Sequence, residues 1–237
     1  MGLFSHNVPL IEVFQGYTDC HCHLLPGVDD GVRTMEDSLA MLSEAAQLGV
    51  AHVWLTSHVM EDCPNTPDAL RTRFEELKQA IAQAGIQTPQ LHLSAENMMD
   101  ELFESRLEQE MVLPHYARHL LVETSYYNPP FDLYGILSKV KSKGYFPILA
   151  HPERYVYMED ANYRQLKEMG VRFQLNLSSL AGFYGKTAQG KAERMLKLGY
   201  YDFTGTDLHN RVMLERYKTA KVSSKVMERL KVLVKPE

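Results

Sequence analysis

Seven short apolar runs recur along the chain, at 17–22, 50–57 (VAHVWLTS), 90–95 (QLHLSA), 118–125 (RHLLVETS), 145–150 (YFPILA), 171–177 (VRFQLNL) and 200–206 (YYDFTGT). Their length and their content of aliphatic and aromatic residues predict strands. The segments between them read as helices with proper punctuation. Thr34 is placed to cap a helix that runs to Gly49, with Glu36 and Asp37 in its first turn, where the helix dipole favours negative charge. Thr66-Pro67-Asp68 puts a capping residue before a proline at the first helical position, and Gly85 closes that helix. Gly144, Gly170 and Gly199 each end a helical stretch just ahead of the next strand. Strands alternating with helices predict a parallel sheet, because each crossover returns the chain to the same edge. Such a sheet is either a closed, barrel-like (β/α) array or an open doubly wound one. No GxGxxG follows the first strand and no GxxxxGK[ST] occurs, so the nucleotide-binding versions lack their phosphate loops. Residues 1–16 form a leader, and 17–237 read as one domain.

Composition narrows the class. The 237 residues are 45% hydrophobic and 23% charged, enough for a sizeable core in an ordinary globular chain. A net charge of −5 gives no basic footprint for a nucleic-acid backbone. No apolar run approaches the ~20 residues of a membrane span. The start MGLFSHNV lacks the basic and apolar regions of a secretory signal, and His6 breaks the myristoylation pattern. Three cysteines without an export signal predict a reduced, cytoplasmic protein.

The ten histidines change the picture by where they fall. His21 and His23 end the first run, with Asp30 a few residues on; His58 follows the second, Glu96 the third and His151 the fifth. Glu123 lies near the end of the fourth run, and Asp207 and His209 follow the seventh. In parallel α/β arrays this C-terminal edge is where loops converge on a site. Nine nitrogen and oxygen candidates exceed the roughly four ligands of one tetrahedral zinc. The number suits two or three metals sharing carboxylates, an arrangement used for hydrolytic displacement at phosphorus. His-x-His on a strand sends both imidazoles to one face. Cys20 and Cys22 then share the other face and serve packing, as buried thiols do. His52 and His92 read as core or surface residues rather than ligands.

DCHCHLLPGVDDG, LTSH, SAE, LLVETS, LAHPERY and GTDLHN occur in this order over residues 17–210. Together they resemble the polymerase-and-histidinol-phosphatase superfamily, and within it the bacterial capsule-locus protein-tyrosine phosphatases. The resemblance implies a distorted (β/α)7 TIM-like barrel with three divalent metals at the C-terminal rim, usually manganese, with iron or zinc as alternatives. It implies His21, His23 and Asp207 on the first metal, Glu96 bridging to a second completed by Glu123 and His151, and Asp30, His58 and His209 on the third. Arg154 matches a family arginine that contacts substrate phosphate. The relatives usually carry a second arginine after the His-Asn of the last motif; here Leu214 stands there, and Arg211 is the candidate replacement.

The implied reaction is phosphomonoester hydrolysis. Metals lower the pKa of bound water to about 7, so a metal-bridging hydroxide near Glu96 is the expected nucleophile, with Glu96, His151 and Arg154 as catalytic residues. The CxxxxxR loop of thiol-based phosphatases is absent. Tyr126, Tyr127, Phe131, Tyr155, Phe183 and Tyr184 lie near the expected rim as a candidate aromatic wall. Tyr126 and Tyr127, with Arg154 and Arg211, are the substrate-binding candidates. The implied substrate is a phosphotyrosine protein, a bacterial tyrosine autokinase that controls capsule or exopolysaccharide export. The alternative is a small-molecule phosphatase of the histidinol-phosphate type, which shares the metal set. The acidic balance counts against a nuclease, and the complete ligand set against a non-catalytic regulatory domain.

Overall fold

Each of the seven apolar runs contains a strand in the computed structural model, which describes residues 6–234. In chain order the first elements are β1 (Asn7–Pro9), β2 (Thr18–Cys22), α1 (Met35–Gln47), β3 (His52–Leu55), β4 (His58–Val59), α2 (Pro67–Ala84), β5 (Gln90–Leu93), β6 (Glu96–Met98) and α3 (Phe103–Glu108). They are followed by β7 (His119–Glu123), α4 (Leu133–Ser142), β8 (Phe146–Ala150), α5 (Asp160–Glu168), β9 (Arg172–Asn176), α6 (Leu177–Leu180) and α7 (Gly185–Lys197). The chain closes with β10 (Phe203–Gly205), α8 (Arg211–Thr219), β11 (Lys221–Ser223) and α9 (Ser224–Leu233). The expected caps are made: Thr34 Oγ1 accepts the Asp37 amide at 3.1 Å, Thr66 Oγ1 accepts that of Ala69 at 3.2 Å, and Gly85 sits in the left-handed region.

Two short strands lie just beyond the expected runs. The second run ends in a pause at Thr56-Ser57 before β4, and the third in a pause at Ser94-Ala95 before β6. At the pauses the backbone bonds sideways: the Thr56 amide donates to Cys22 O at 2.9 Å and the Ala95 amide to Leu113 O at 3.1 Å, joined there by the Ser94 hydroxyl at 3.0 Å. His58 and Glu96 become the first residues of the new strands and stand opposite each other in register.

One parallel sheet has the order β10-β9-β8-β7-β6-β4, and a second the order β2-β3-β5. Backbone bonds from Asp207 N to His21 O (2.7 Å) and from His23 N to Leu208 O (2.9 Å) tie the end of β2 to the segment after β10. The result is a curled parallel sheet with helices outside it. An unexpected antiparallel pair joins β1 to β11, and Leu10, Val13 and Phe14 of the expected leader are buried in the main core. A smaller cluster of Leu121, Ile148 and Ala150 packs with Phe203. Among the described residues no helix is long and apolar enough to cross a membrane.

Candidate metal centre

The C-terminal ends of the strands gather the sequence-predicted histidines and carboxylates into overlapping groups. His21, His23, Glu96 and Asp207 form one, His58, Glu96 and Glu123 a second, and His23, Asp30, His58 and His209 a third, with ligating atoms within 4.8 Å of one another in each. Glu96 is shared by the first two groups, and His23 and His58 each belong to two. His151 stands just outside, its Nε2 3.0 Å from Glu96 Oε1 and 3.8 Å from Glu123 Oε2. The resemblance pairs Glu123 with His151; His58 Nδ1 also lies 3.0 Å from Glu123 Oε1.

Donor chemistry and satisfaction both fit divalent cations. His21 Nε2 and His23 Nε2 face each other at 3.1 Å, with Glu96 Oε2 at 3.0 and 3.3 Å and Asp207 Oδ1 at 3.5 and 3.4 Å. Several lone pairs thus converge on one small space, a mixed imidazole and carboxylate set that suits manganese, iron or zinc. His151 Nδ1 is buried without a hydrogen-bond partner, and His58 Nδ1 and Glu123 Oε1, also buried, lie 3.0 Å apart in a geometry too poor for a hydrogen bond. Atoms left so cost about 1–3 kcal/mol each.

Charge is concentrated here. Burial opposes ionisation of Glu96, yet His21 and His58 outweigh it and hold its carboxyl well below the usual range. Asp207 is likewise buried and held well below by His21 and His23. Burial pushes His58 down, and so does His23, but Glu96 and Glu123 lift it to about 9. Glu96 and Asp207 are therefore ionised over any physiological range, as metal ligands must be.

Several supporting residues were not among the sequence candidates. Asp29, the first aspartate of GVDDG, accepts His23 Nδ1–H at 2.9 Å, the His58 amide at 3.1 Å and the Gly31 amide at 3.1 Å. Gln174 Oε1 meets His21 Nδ1 at 2.9 Å, and Asn176 Nδ2 donates to Asp207 Oδ2 at 2.8 Å. Partners on the far ring nitrogen fix the tautomer that turns the other nitrogen to a metal. The sequence held a signal for the last two, since Gln174 and Asn176 alternate within an otherwise apolar strand and so share a face. Asp19 accepts the Thr206 amide at 2.8 Å and its hydroxyl at 2.5 Å, closing β2 onto β10; burial lifts its pKa to about 6 despite these bonds. Gly205 is required in this seam, because a Cβ there would lie 2.5 Å from that of His21. His151 and Asp207 adopt left-handed backbone at φ 34° and 53°, strain of order 1 kcal/mol or more held by the surrounding bonds.

Arg154 joins the cluster through Asp207. Its Nη1 donates to Asp207 Oδ2 at 2.7 Å, and its guanidinium lies over the rings of Tyr126 and Tyr184 at 4.3 and 4.0 Å. Two cavities flank the metal groups. One, of about 390 Å³, is lined by Glu96, Arg154, Tyr184, Asp207 and His209 among others; the second, of about 810 Å³, reaches past Glu123. Asp30, His58 and Tyr126 line both.

The aromatic candidates separate. Tyr126 and Tyr184 contact Arg154, whereas Tyr127 is 73% exposed and lines neither cavity. Phe131 is fully exposed, Tyr155 is buried with its hydroxyl donating to Ala150 O, and Phe183 packs on Tyr217. Arg211 is exposed, 3.9 Å from Glu44, and Leu214 is buried in the core. Of the cysteines, Cys22 is fully buried and Cys20 lines a cavity with Thr18 and Trp54, away from the ligating groups. A register shift between Asp19 and Cys22 interrupts strict alternation there.

A curled parallel sheet whose strand ends converge on shared histidines and carboxylates defines an α/β protein built around a candidate polymetal centre. Residues 17–230 match the family described as "Capsular polysaccharide synthesis, CpsB/CapC", and the chain belongs to that family. It is 26% identical over 195 residues to the tyrosine-protein phosphatase YwqE of Bacillus subtilis, covering 81% of this chain and 77% of that one. It is 28% identical over 201 residues to the tyrosine-protein phosphatase CpsB of Streptococcus agalactiae, covering 81% and 82%. The fold is similar to that in the crystal structures of YwqE from Bacillus subtilis and CpsB from Streptococcus pneumoniae, metal-dependent tyrosine phosphatases, with a TM-score of 0.79, 24% identity and coverage of 92% and 90%.

Proposed function

We propose that the protein is a metal-dependent tyrosine-protein phosphatase. The observation that carries this reading is the convergence of His21, His23, Asp30, His58, Glu96, Glu123, Asp207 and His209 into three linked groups, with His151 on Glu96 and Arg154 on Asp207. Named relatives with this activity match most of the chain. We read the curled sheet as a distorted (β/α)7 barrel, in which β3 with β4 and β5 with β6 each count as one strand position and the bonds at Asp207 and His23 complete the ring.

In this reading three divalent metals, manganese first, are held by those nine residues. Metals bound there supply a lowered pKa for water and neutralise charge on the phosphoryl group. The chain's own residues do the rest. Asp29 and Gln174 orient His23 and His21. Arg154, steadied by Asp207, Tyr126 and Tyr184, presents the free part of its fork to non-bridging phosphate oxygens, where a planar guanidinium bonds in pairs. The substrate is a phosphotyrosine of a tyrosine autokinase of capsule or exopolysaccharide production, met in the cytoplasm.

The test is a turnover panel with manganese, comprising phosphotyrosine peptide, phosphoserine peptide, histidinol phosphate and single-stranded DNA. The phosphotyrosine peptide is expected to be preferred and chelator to abolish turnover. Preference for any other member would sink the reading.

A further inference from the structure

His58 and Glu96 are partners in register on neighbouring parallel strands, and a methionine stands two residues beyond each. Side chains two apart on a strand share a face, so Met98 at the end of β6 stands on the face of Glu96. Met60 follows β4 directly, its backbone bonding that of Cys63, and lines the same cavity as Met98. Met98 is also the register partner of Glu123, which belongs to the second ligating group. Both methionines, with Val28 and Tyr126, line the larger cavity beside Glu123 and His58, and all four are only partly buried. The two flanking cavities differ in what they add to the cluster. The smaller adds Arg154 with Tyr184 and Met213; the larger, although Asp29, Asp30, Arg33, Asp62 and Glu123 also line it, adds the methionine pair and Val28 beside the metal groups.

We propose that Met60 and Met98 form the slot that receives the aromatic leaving group of the substrate, and that they set selectivity for aryl over alkyl phosphomonoesters. This deepens the phosphatase reading and rests on it. A phosphoryl group drawn toward Arg154 and the cluster leaves its ester substituent the larger cavity, where thioether sulfur makes favourable contact with an aromatic ring. A serine or other alkyl ester reaches the cluster but fills no such slot. Methionine also adapts to ring orientation, which suits peptides of varied sequence.

A binding measurement tests the slot without depending on turnover. The manganese-loaded full chain is titrated with two labelled peptides of identical sequence. One carries the non-hydrolysable difluorophosphonomethyl analogue of phosphotyrosine, the other an alkyl phosphonate in place of phosphoserine. Wild type is expected to bind the aryl peptide about tenfold more tightly, the order of one ring's partial burial. Met60→Ala with Met98→Ala should remove that preference by weakening the aryl peptide alone, with metal content unchanged. Met98→Leu, which keeps the volume, should retain most of it. If the double variant loses metal, either single variant that keeps it carries the same comparison. Equal binding of the two peptides by wild type, or an aryl preference that survives the alanine substitutions, would overturn the proposal. Failure of the phosphatase reading looks different: no manganese-dependent hydrolysis of any phosphomonoester, whatever the peptides' affinities.

Discussion

Asp29 Oδ2 accepts the Nδ1–H of His23 at 2.9 Å, with both side chains fully buried. Since the carboxylate only accepts, it fixes His23 in the tautomer whose Nε2 turns toward Glu96 and Asp207. The same carboxylate holds the amides of His58 and Gly31, so one residue braces three parts of the centre. Asp29→Asn is expected to lower metal affinity tenfold to a hundredfold, the usual effect of losing such a partner. Equilibrium dialysis with metal analysis measures it, and undiminished affinity would show that Asp29 does not brace the site.

Arg154→Lys keeps the charge but loses the fork and the stacking on Tyr126 and Tyr184. Turnover of a phosphotyrosine substrate should fall roughly a hundredfold in kcat/KM, with metal content near that of wild type. Loss of metal in this variant would instead make Arg154 a structural support of Asp207.

His115 provides a pH test outside the centre. Burial, then repulsion from His21, His119 and His92, hold its pKa at about 3, against roughly 6.5 in an unfolded chain. A depressed folded pKa means stability present above pH ~6.5 and lost as pH falls from there toward 3, because only the unfolded chain takes the proton. At pH 5 this one residue accounts for about 2 kcal/mol of loss. His115→Leu should shrink the drop in unfolding free energy between pH 7 and pH 5 by that amount, read by urea titration in chelator. An identical drop in the variant would refute the assignment.

Leu214→Arg asks whether placing an arginine where the resemblance expects one helps. Leu214 is 1% exposed on α8, so the change buries an unpaired guanidinium. It is expected to destabilise the chain by about 3 kcal/mol or more rather than improve phosphate binding. A thermal melt decides, and an unchanged Tm with higher turnover would contradict the burial argument.

Cys20→Val and Cys22→Ser should both retain metal. Burial raises both thiols, Cys20 to about 12, so neither is a thiolate near neutral pH. Cys22→Ser should also cost about 1–2 kcal/mol of stability, because a hydroxyl enters a fully buried position. Metal loss in either variant, measured by elemental analysis, would make a sulfur part of the centre.

Period and punctuation in the sequence located every strand of the curled sheet except β4 and β6, because apolar runs bounded by glycine and capping residues admit few other structures. What they missed depended on partners far away in the chain. The pauses at Thr56-Ser57 and Ser94-Ala95 arise from bonds to Cys22 and Leu113. The pairing of β1 with β11 joins opposite ends of the chain, and no local signal marks it. Tyr127 and Phe131 look like rim aromatics by position, yet only tertiary packing separates them from Tyr126 and Tyr184, which grip Arg154.

The sequence by itself determined which chemistry is available, since His, Asp and Glu at strand ends of a parallel array must meet at one rim wherever the strands pair in order. Tertiary structure alone decided how those residues divide. Register set His58 against Glu96 and Met98 against Glu123. Burial made Asp29 the brace and left Asp30 exposed. Helix packing turned Leu214 inward and left Arg211 outside, near Glu44. Residue type and spacing fix what a side chain can bind; only the folded neighbours fix the direction it faces and whether water competes for it.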